Sequence, residues 1–210
     1  MADDPKAVVA RGYDRIGERY AAGALAAPQG PRARYLDLLL ERLPAGASVL
    51  DLGCGVGVPV AEALARGFAV TGVDASAHAV TLARRNVPAG RFVQGDMASV
   101  DLPAETFDAV VAFYSIIHLP RDEHARVFAR IARWLRPGGL FVASLGARDL
   151  AAGTDEDWLG VPMYWSHFDA ATNRRLVAAA GLTVEWSEEI ATGDERFLWV
   201  VARRTVRAPE

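Results

Sequence analysis

Two acids and a run of glycines carry the chemistry that can be read directly from this chain. Asp51-Leu52-Gly53-Cys54-Gly55-Val56-Gly57 closes a short apolar segment, Ser48 to Leu52. Glycines at such a turn let the backbone bend sharply and let a ligand come to contact distance, because a Cβ would occupy that space. Asp74 ends the next apolar segment, Phe68 to Val73. An ionised carboxylate at that position can accept hydrogen bonds from both hydroxyls of a ribose, which points to a nucleoside. Two imidazoles are candidate bases: His118 in Tyr114-Ser115-Ile116-Ile117-His118-Leu119-Pro120, and His167 in Tyr164-Trp165-Ser166-His167-Phe168. A histidine of ordinary pKa, about 6.5, can take a proton near neutral pH or simply bond a loop.

Two nucleoside ligands compete for the glycine turn. A dinucleotide site wants G-x-G-x-x-G, but Val58 stands where its third glycine would be and Gly57 comes one residue early. Asp51 ahead of the glycines would repel a pyrophosphate, whereas it can attract an ammonium directly or through water. S-adenosylmethionine is a nucleoside that carries such an ammonium.

The elements that must position these groups alternate along the chain. Tyr13, Ile16 and Tyr20 share one face of an N-terminal helix that Pro28, Gly30 and Pro31 end, and a second helix runs from about Arg32 to Arg42. After the strand at Ser48–Leu52 come a helix from about Gly57 to Arg66, a strand at Phe68–Val73, and a helix to Asn86 that Ser76 can cap. Strands follow at Arg91–Gln94 and at Phe107–Phe113, the latter nearly all apolar as a strand covered on both faces should be. A helix over Arg121–Leu135 turns Val127, Phe128, Ile131, Trp134 and Leu135 inward and Arg126, Arg130 and Arg133 to solvent, until Pro137-Gly138-Gly139 stops it. A strand at Leu140–Leu145, an irregular aromatic stretch to His167, a helix over Asp169–Ala180 and two strands, Leu182–Ile190 and Phe197–Arg203, joined near Gly193 and Asp194, complete the pattern. Alternating strands and helices imply a parallel sheet covered on both faces, with ligands beyond the carboxyl ends of the strands.

Composition narrows the function classes. The 210 residues, 51% of them hydrophobic, suffice for one well-filled core. A formal net charge of -3 and a pI near 5.8 give no electrostatic case for nucleic acid or an acidic membrane. The apolar run Ala109–Ile117 is about half a membrane span, and Met1–Val9 lack the basic and apolar regions of a secretory leader. With Cys54 the single cysteine, neither a disulfide nor a cysteine-rich metal site can form within the chain, so a cytoplasmic protein without metal is expected.

Over about Ser48 to Leu145 the sequence resembles the class I S-adenosylmethionine-dependent methyltransferases, in particular the small-molecule group that includes the ubiquinone and menaquinone C-methyltransferases. The resemblance rests on five segments in order: Val49-Leu50-Asp51-Leu52-Gly53-Cys54-Gly55-Val56-Gly57, Val73-Asp74, Gly95-Asp96-Met97, Phe107-Asp108-Ala109-Val110-Val111 and Leu135-Arg136-Pro137-Gly138-Gly139-Leu140. It implies a Rossmann-like, doubly wound α/β fold: a seven-stranded sheet, mainly parallel with a terminal antiparallel hairpin, plus N-terminal helices. The expected organisation is one domain over 1–210, comprising a helical cap (1–45), a cofactor-binding core (46–147), a substrate loop (148–168) and a C-terminal helix and hairpin (169–210). Cofactor contacts are expected from Tyr20, Asp51, Gly53, Cys54, Gly55, Gly57, Asp74, Ala75, Asp96 and Met97. In the family's pattern Asp96 accepts from the adenine amino group, Met97 packs on the ring, and the N-terminal helix closes over the cofactor.

Methyl transfer to a small acceptor is then the expected reaction, with S-adenosylhomocysteine as product. Tyr13, Tyr114, Tyr164 and Trp165 are the candidate acceptor contacts, and His118 and His167 the candidate bases. The stretch Asp149–Phe168, with Trp158, Met163, Tyr164, Trp165 and Phe168, suits an aromatic or apolar acceptor. No Asn/Asp-Pro-Pro-Tyr follows the fourth strand, which disfavours nucleobase and glutamine methylation. Simpler roles stand beside these. Cys54 suits the turn as a small buried residue, Asp74 could cap a helix, the arginine stripe could be a solvated face, and Tyr13 and Tyr20 could be core. A non-catalytic cofactor binder and a nicotinamide-dependent oxidoreductase are the alternative functions.

Overall fold

A computed structural model describes residues 4–25 and 30–206. Pro28, expected to help end the first helix, lies outside the described residues. Five strands, β1 (Ser48–Leu52), β2 (Ala69–Asp74), β3 (Arg91–Gln94), β4 (Phe107–Ala112) and β5 (Leu135–Gly146), pair in parallel. Near the C-terminus β8 (Leu182–Thr192) and β9 (Glu195–Arg204) form an antiparallel hairpin that joins the sheet through β9 against β5. The order β3-β2-β1-β4-β5-β9-β8 is the expected doubly wound sheet, and strand order reverses between β1 and β4. At that reversal the connections leave to opposite faces and open a crevice beyond the strand ends.

Residue alternation assigns the two faces. In β1 and β4, Leu50, Leu52, Val110 and Ala112 pack with Val127, Phe128 and Ile131 of α5 (His124–Trp134) and with Val177 of α6 (Ala170–Ala179). Their neighbours Val49, Ala109 and Val111 pack on the other face against Leu36 and Leu39 of α2 (Pro31–Arg42), Ala61 and Leu64 of α3 (Val60–Leu64), and Val80 and Ala83 of α4 (Ala77–Asn86). A strand period of two is what sends adjacent apolar residues to different helix layers. No described helix is long and apolar enough to cross a membrane.

The helix expected from Gly57 begins only at Val60: Gly57 holds a φ of +83°, and Pro59, which has no N–H to donate, precedes the first turn. Pro137-Gly138-Gly139 does not separate a helix from a strand. Instead β5 starts at Leu135 and carries these residues through a register shift opposite Phe107–Ala109, an interruption of the pairing that tolerates both proline and glycine. Nor is the arginine stripe a uniformly solvated face. Arg126 and Arg133 are exposed, but Arg130 lies over the Trp134 ring and donates to the Val100 carbonyl.

The stretch expected to be irregular is a hairpin of its own, β6 (Leu150–Trp158) and β7 (Val161–His167). Its two-residue turn is Leu159-Gly160, with φ of +50° and +83°. Both values are positive, as the hairpin-favouring mirror turn needs, yet leucine in the first position hides the signal that asparagine or glycine would give. The first helix, α1 (Pro5–Leu25), lies against this hairpin. The two are so close at Gly12 that an added Cβ would stand 2.8 Å from Met163 Cε.

Candidate functional site

A cavity opens at the carboxyl ends of β1, β2, β3 and β4, under α1. Its floor is the glycine turn after β1. Gly53 N–H and Cys54 N–H both donate to the Val73 carbonyl, at 2.8 and 3.1 Å, which ties the turn to β2. Gly55, at φ +53°, donates its N–H to Asp74 Oδ2 at 2.8 Å, and Ser76 N–H donates to Asp74 Oδ1 at 2.9 Å. Ser76 Oγ in turn accepts from Ala79 N–H and caps α4, so Asp74 is not needed as the cap. Burial raises the Asp74 pKa, against the pull of the Ser76 and Gly55 N–H groups.

The glycines of the turn differ in purpose. An added Cβ on Gly53 would stand 2.3 Å from Ser115 Cβ, whereas one on Gly55 would meet nothing within 4 Å. Gly53 therefore admits the loop after β4, and Gly55 leaves space in the cavity itself. Gly57 is not in the wall: an added Cβ there would press on Ala83 of α4 at 3.2 to 3.3 Å. Cys54 is in the wall, but burial pushes its thiol well above the usual range, so it is inert as a nucleophile.

At one end of the cavity two polar atoms of opposite character lack partners. Asp51 Oδ2 and Arg32 Nε are both buried without a hydrogen-bond partner among the described residues. Burial pushes Asp51 up to about 7, helped by the nearby Asp74 carboxylate and opposed by Arg32. The Arg32 guanidinium lies 5.1 Å from the centre of the Tyr114 ring and bonds the Tyr20 hydroxyl. Tyr114 holds a φ of +57°, rare for a tyrosine, with its N–H donating to Ser144 Oγ at 2.7 Å. Sequence reasoning missed Arg32, since one arginine opening a helix carries no signal until the fold brings it opposite Asp51.

The other end holds Asp96 and Met97. Lys6 of α1 reaches Asp96 Oδ2 at 2.8 Å and Glu123 Oε1 at 2.9 Å. Burial alone would raise the Asp96 pKa, but Lys6 and the Ala98 N–H outweigh it and hold the carboxyl below its usual value. Lys6, Val9, Tyr13, Gly17 and Tyr20 form one face of α1 along the cavity, so a single helix spans it from Asp96 to Arg32.

Of the two candidate bases only His118 is in the cavity wall. It is buried. Its Nε2 lies 3.0 Å from the Tyr13 hydroxyl and its Nδ1 2.8 Å from the Tyr164 carbonyl oxygen. Burial pushes its pKa down to about 4, so the ring is neutral at physiological pH. His167, expected as a candidate base, is outside the cavity with Nδ1 bonded to the Arg148 carbonyl. Tyr164 and Trp165, expected to touch the acceptor, are also outside it: Tyr164 contributes the carbonyl that holds His118, and Trp165 packs 5.7 Å from the His118 ring. The hairpin's Trp158 and Met163 likewise pack against α1 rather than facing the cavity. Tyr20, Asp51, Gly53, Cys54, Gly55, Asp74, Ala75, Asp96, Met97, Tyr13 and Tyr114 are brought together as the wall.

The model of a family described as "Methyltransferase domain" matches residues 49–139. An uncharacterized methyltransferase of Synechocystis sp. is 32% identical over 190 residues, 84% of this chain and 87% of that protein. A sterol 24-C-methyltransferase of Yarrowia lipolytica is 29% identical over 73% of this chain but only 44% of its own length. The chain thus spans less than half of the curated sterol methyltransferases it matches. Among solved structures, the magnesium protoporphyrin IX methyltransferase of Synechocystis PCC 6803, with bound SAM, superposes with a TM-score of 0.76 at 18% identity, covering 98% of this chain and 99% of that one.

Proposed function

Because the chain belongs to the S-adenosylmethionine-dependent methyltransferases, whose cofactor is S-adenosylmethionine, we propose that it transfers the cofactor's methyl group to a small acceptor. The observation that carries this reading is the pair of unpartnered buried atoms, Asp51 Oδ2 and Arg32 Nε, in one wall. A buried polar atom without a hydrogen-bond partner is costly, so each of these atoms implies a ligand group of complementary hydrogen-bonding character. Asp51 fits the ammonium of the cofactor's amino-acid end, and Arg32 fits its carboxylate. Asp74, with both oxygens oriented by backbone N–H groups, accepts from the ribose hydroxyls. Gly55 leaves room beside it, while Asp96 and Met97 receive the adenine. A pyrophosphate finds no such complement at Asp51.

When bound, the cofactor supplies an activated methyl on a sulfonium, so this chain's residues have chiefly to align the acceptor and exclude water. Tyr13 and Tyr20 both line the cavity, Tyr13 midway along the face of α1 that spans it, and an electron-rich ring stabilises a nearby sulfonium as it does a quaternary ammonium. Phe113 and Tyr114 line the wall beyond the glycine turn and favour an aromatic or apolar acceptor. The test is a thermal-shift panel followed by a labelling screen. S-adenosylmethionine and S-adenosylhomocysteine should raise the melting temperature while NAD leaves it unchanged. Methyl-labelled cofactor and a metabolite extract should then give a labelled small molecule by mass spectrometry. Stabilisation by NAD alone would overturn the cofactor assignment, and cofactor binding without any labelled product would favour a non-catalytic binder.

A further inference from the structure

The Tyr13–His118 contact defines the direction of a hydrogen bond, and from that the kind of acceptor the site suits. A carbonyl oxygen can only accept, so the 2.8 Å contact between His118 Nδ1 and the Tyr164 carbonyl puts a hydrogen on Nδ1. In a neutral ring Nε2 is then bare, and the Tyr13 hydroxyl, 3.0 Å away, must donate to it. The Tyr13 hydrogen is thereby committed, and the oxygen retains its lone pairs, next to the cavity that Tyr13 lines.

The position of Tyr13 along α1 locates it relative to the cofactor. Lys6 stands at Asp96, the adenine end, and Tyr20 at Arg32, the amino-acid end. These residues are about 20 Å apart along a helix rising 1.5 Å per residue, and Tyr13 is midway between them. The sulfonium is likewise between the nucleoside and the amino acid. Other polar groups of the wall differ from it: Ser115 Oγ donates to the Leu52 carbonyl, the Tyr20 hydroxyl accepts from Arg32, and Cys54 stays a neutral thiol, so none of the three is coupled to an imidazole as Tyr13 is to His118.

We propose that the Tyr13 oxygen is the hydrogen-bond acceptor at the point of methyl transfer, that His118 is the residue positioning it, and that the site selects acceptors arriving with an X–H hydrogen, a hydroxyl or an amine. This rests on the methyl-transfer reading and deepens it. As the methyl–sulfur bond breaks and the X–methyl bond forms, the X–H proton passes to the Tyr13 oxygen and Tyr13's own proton passes to His118 Nε2. The positive charge lost from sulfur thus reappears on an imidazolium, from which the proton later leaves to water. His118 acts through Tyr13 and needs no direct contact with the acceptor.

The test uses two cofactor analogues on the full chain. S-adenosylhomocysteine has nothing at the methyl position, whereas sinefungin carries a protonated amine there, a donor that the Tyr13 oxygen would accept. For Tyr13→Phe, which keeps the ring's packing on Tyr20 and Trp158, calorimetry should show S-adenosylhomocysteine affinity within about twofold of wild type. Sinefungin affinity should fall about 10- to 100-fold, the scale of a charged hydrogen bond. Tyr13→Phe combined with His118→Ala should lose no more sinefungin affinity than Tyr13→Phe alone, and ¹⁵N NMR of the wild type should show His118 protonated on Nδ1 only. Equal losses for both analogues, loss of neither, or a His118 protonated on Nε2 would overturn the proposal. A wild type that binds neither analogue would instead overturn the methyl-transfer reading on which it rests.

Discussion

The floor and the roof of the cavity are held by different kinds of bond. The floor is held by backbone N–H groups, those of Gly53 and Cys54 on the Val73 carbonyl and those of Gly55 and Ser76 on the Asp74 carboxylate. The roof, α1, is held largely by side chains, with Lys6 on Asp96 and Glu123, Tyr13 on His118, Asp14 on Ser76 Oγ, and Arg19 on the Leu159 carbonyl. Backbone bonds inside a sheet open only with the sheet itself, whereas the partly exposed pairs of the roof, such as Lys6 with Asp96 and Glu123, contribute little each and exchange readily with water, the contact of Tyr13 with the buried His118 excepted. A floor of the first kind holds ligand atoms to a fixed geometry, and a roof of the second kind can lift to admit a ligand.

The largest expected effect separates two glycines of the floor. Gly53→Ala forces a Cβ against Ser115 in a left-handed backbone, and urea unfolding should show a loss of about 3 kcal/mol from overpacking plus conformational strain. Gly55→Ala, which meets no atom, should cost about 1 kcal/mol of stability yet abolish most S-adenosylhomocysteine binding. Equal stability losses at the two positions would mean that the turn is not packed as described. Next, Asp74→Asn should weaken S-adenosylhomocysteine by about 1.5 to 3 kcal/mol in calorimetry, because an amide cannot accept at both of its ends. Unchanged affinity in that variant would remove Asp74 from the ribose site.

A smaller effect is set by pH. Asp51 is pushed up to about 7 in the ligand-free protein, so below that pH it holds a proton that an ammonium ligand must displace. Affinity for S-adenosylhomocysteine should therefore be highest above pH 7 and fall by up to about tenfold per unit below it, and Asp51→Asn should flatten the profile. The sign for stability is opposite. The folded, ligand-free protein keeps this proton between the ordinary carboxylate pKa, about 4, and pH 7, so the contribution of Asp51 to stability is lost as pH rises through that window. Smallest of all, Lys6→Ala should cost less than about 1 kcal/mol in unfolding while speeding release of S-adenosylhomocysteine several-fold in stopped flow. If release were unchanged, Lys6 would not hold the roof.

The sequence alone determined the floor. Apolar runs of strand length, glycines at the close turn and an acid at the end of each of the first two strands are local patterns, and local patterns are imposed by backbone sterics that act residue by residue. The seven-stranded sheet and its terminal hairpin were legible for the same reason. The roof was decided by tertiary structure. Nothing near Tyr13 in the chain announces that its hydroxyl will meet His118, that Arg32 will face Asp51, or that Lys6 will reach Asp96, since each pair joins residues far apart in sequence. The same holds for the hairpin Leu150–His167, whose mostly exposed first strand lacks a clean alternation and whose turn begins with leucine. Its aromatic residues, legible as aromatic, gave no sign of which way they would face. The fold turned Trp158 and Met163 against α1 and left the Tyr164 carbonyl to fix the tautomer of His118, because burying those side chains under the helix removes more apolar surface from water than lining an open cavity would.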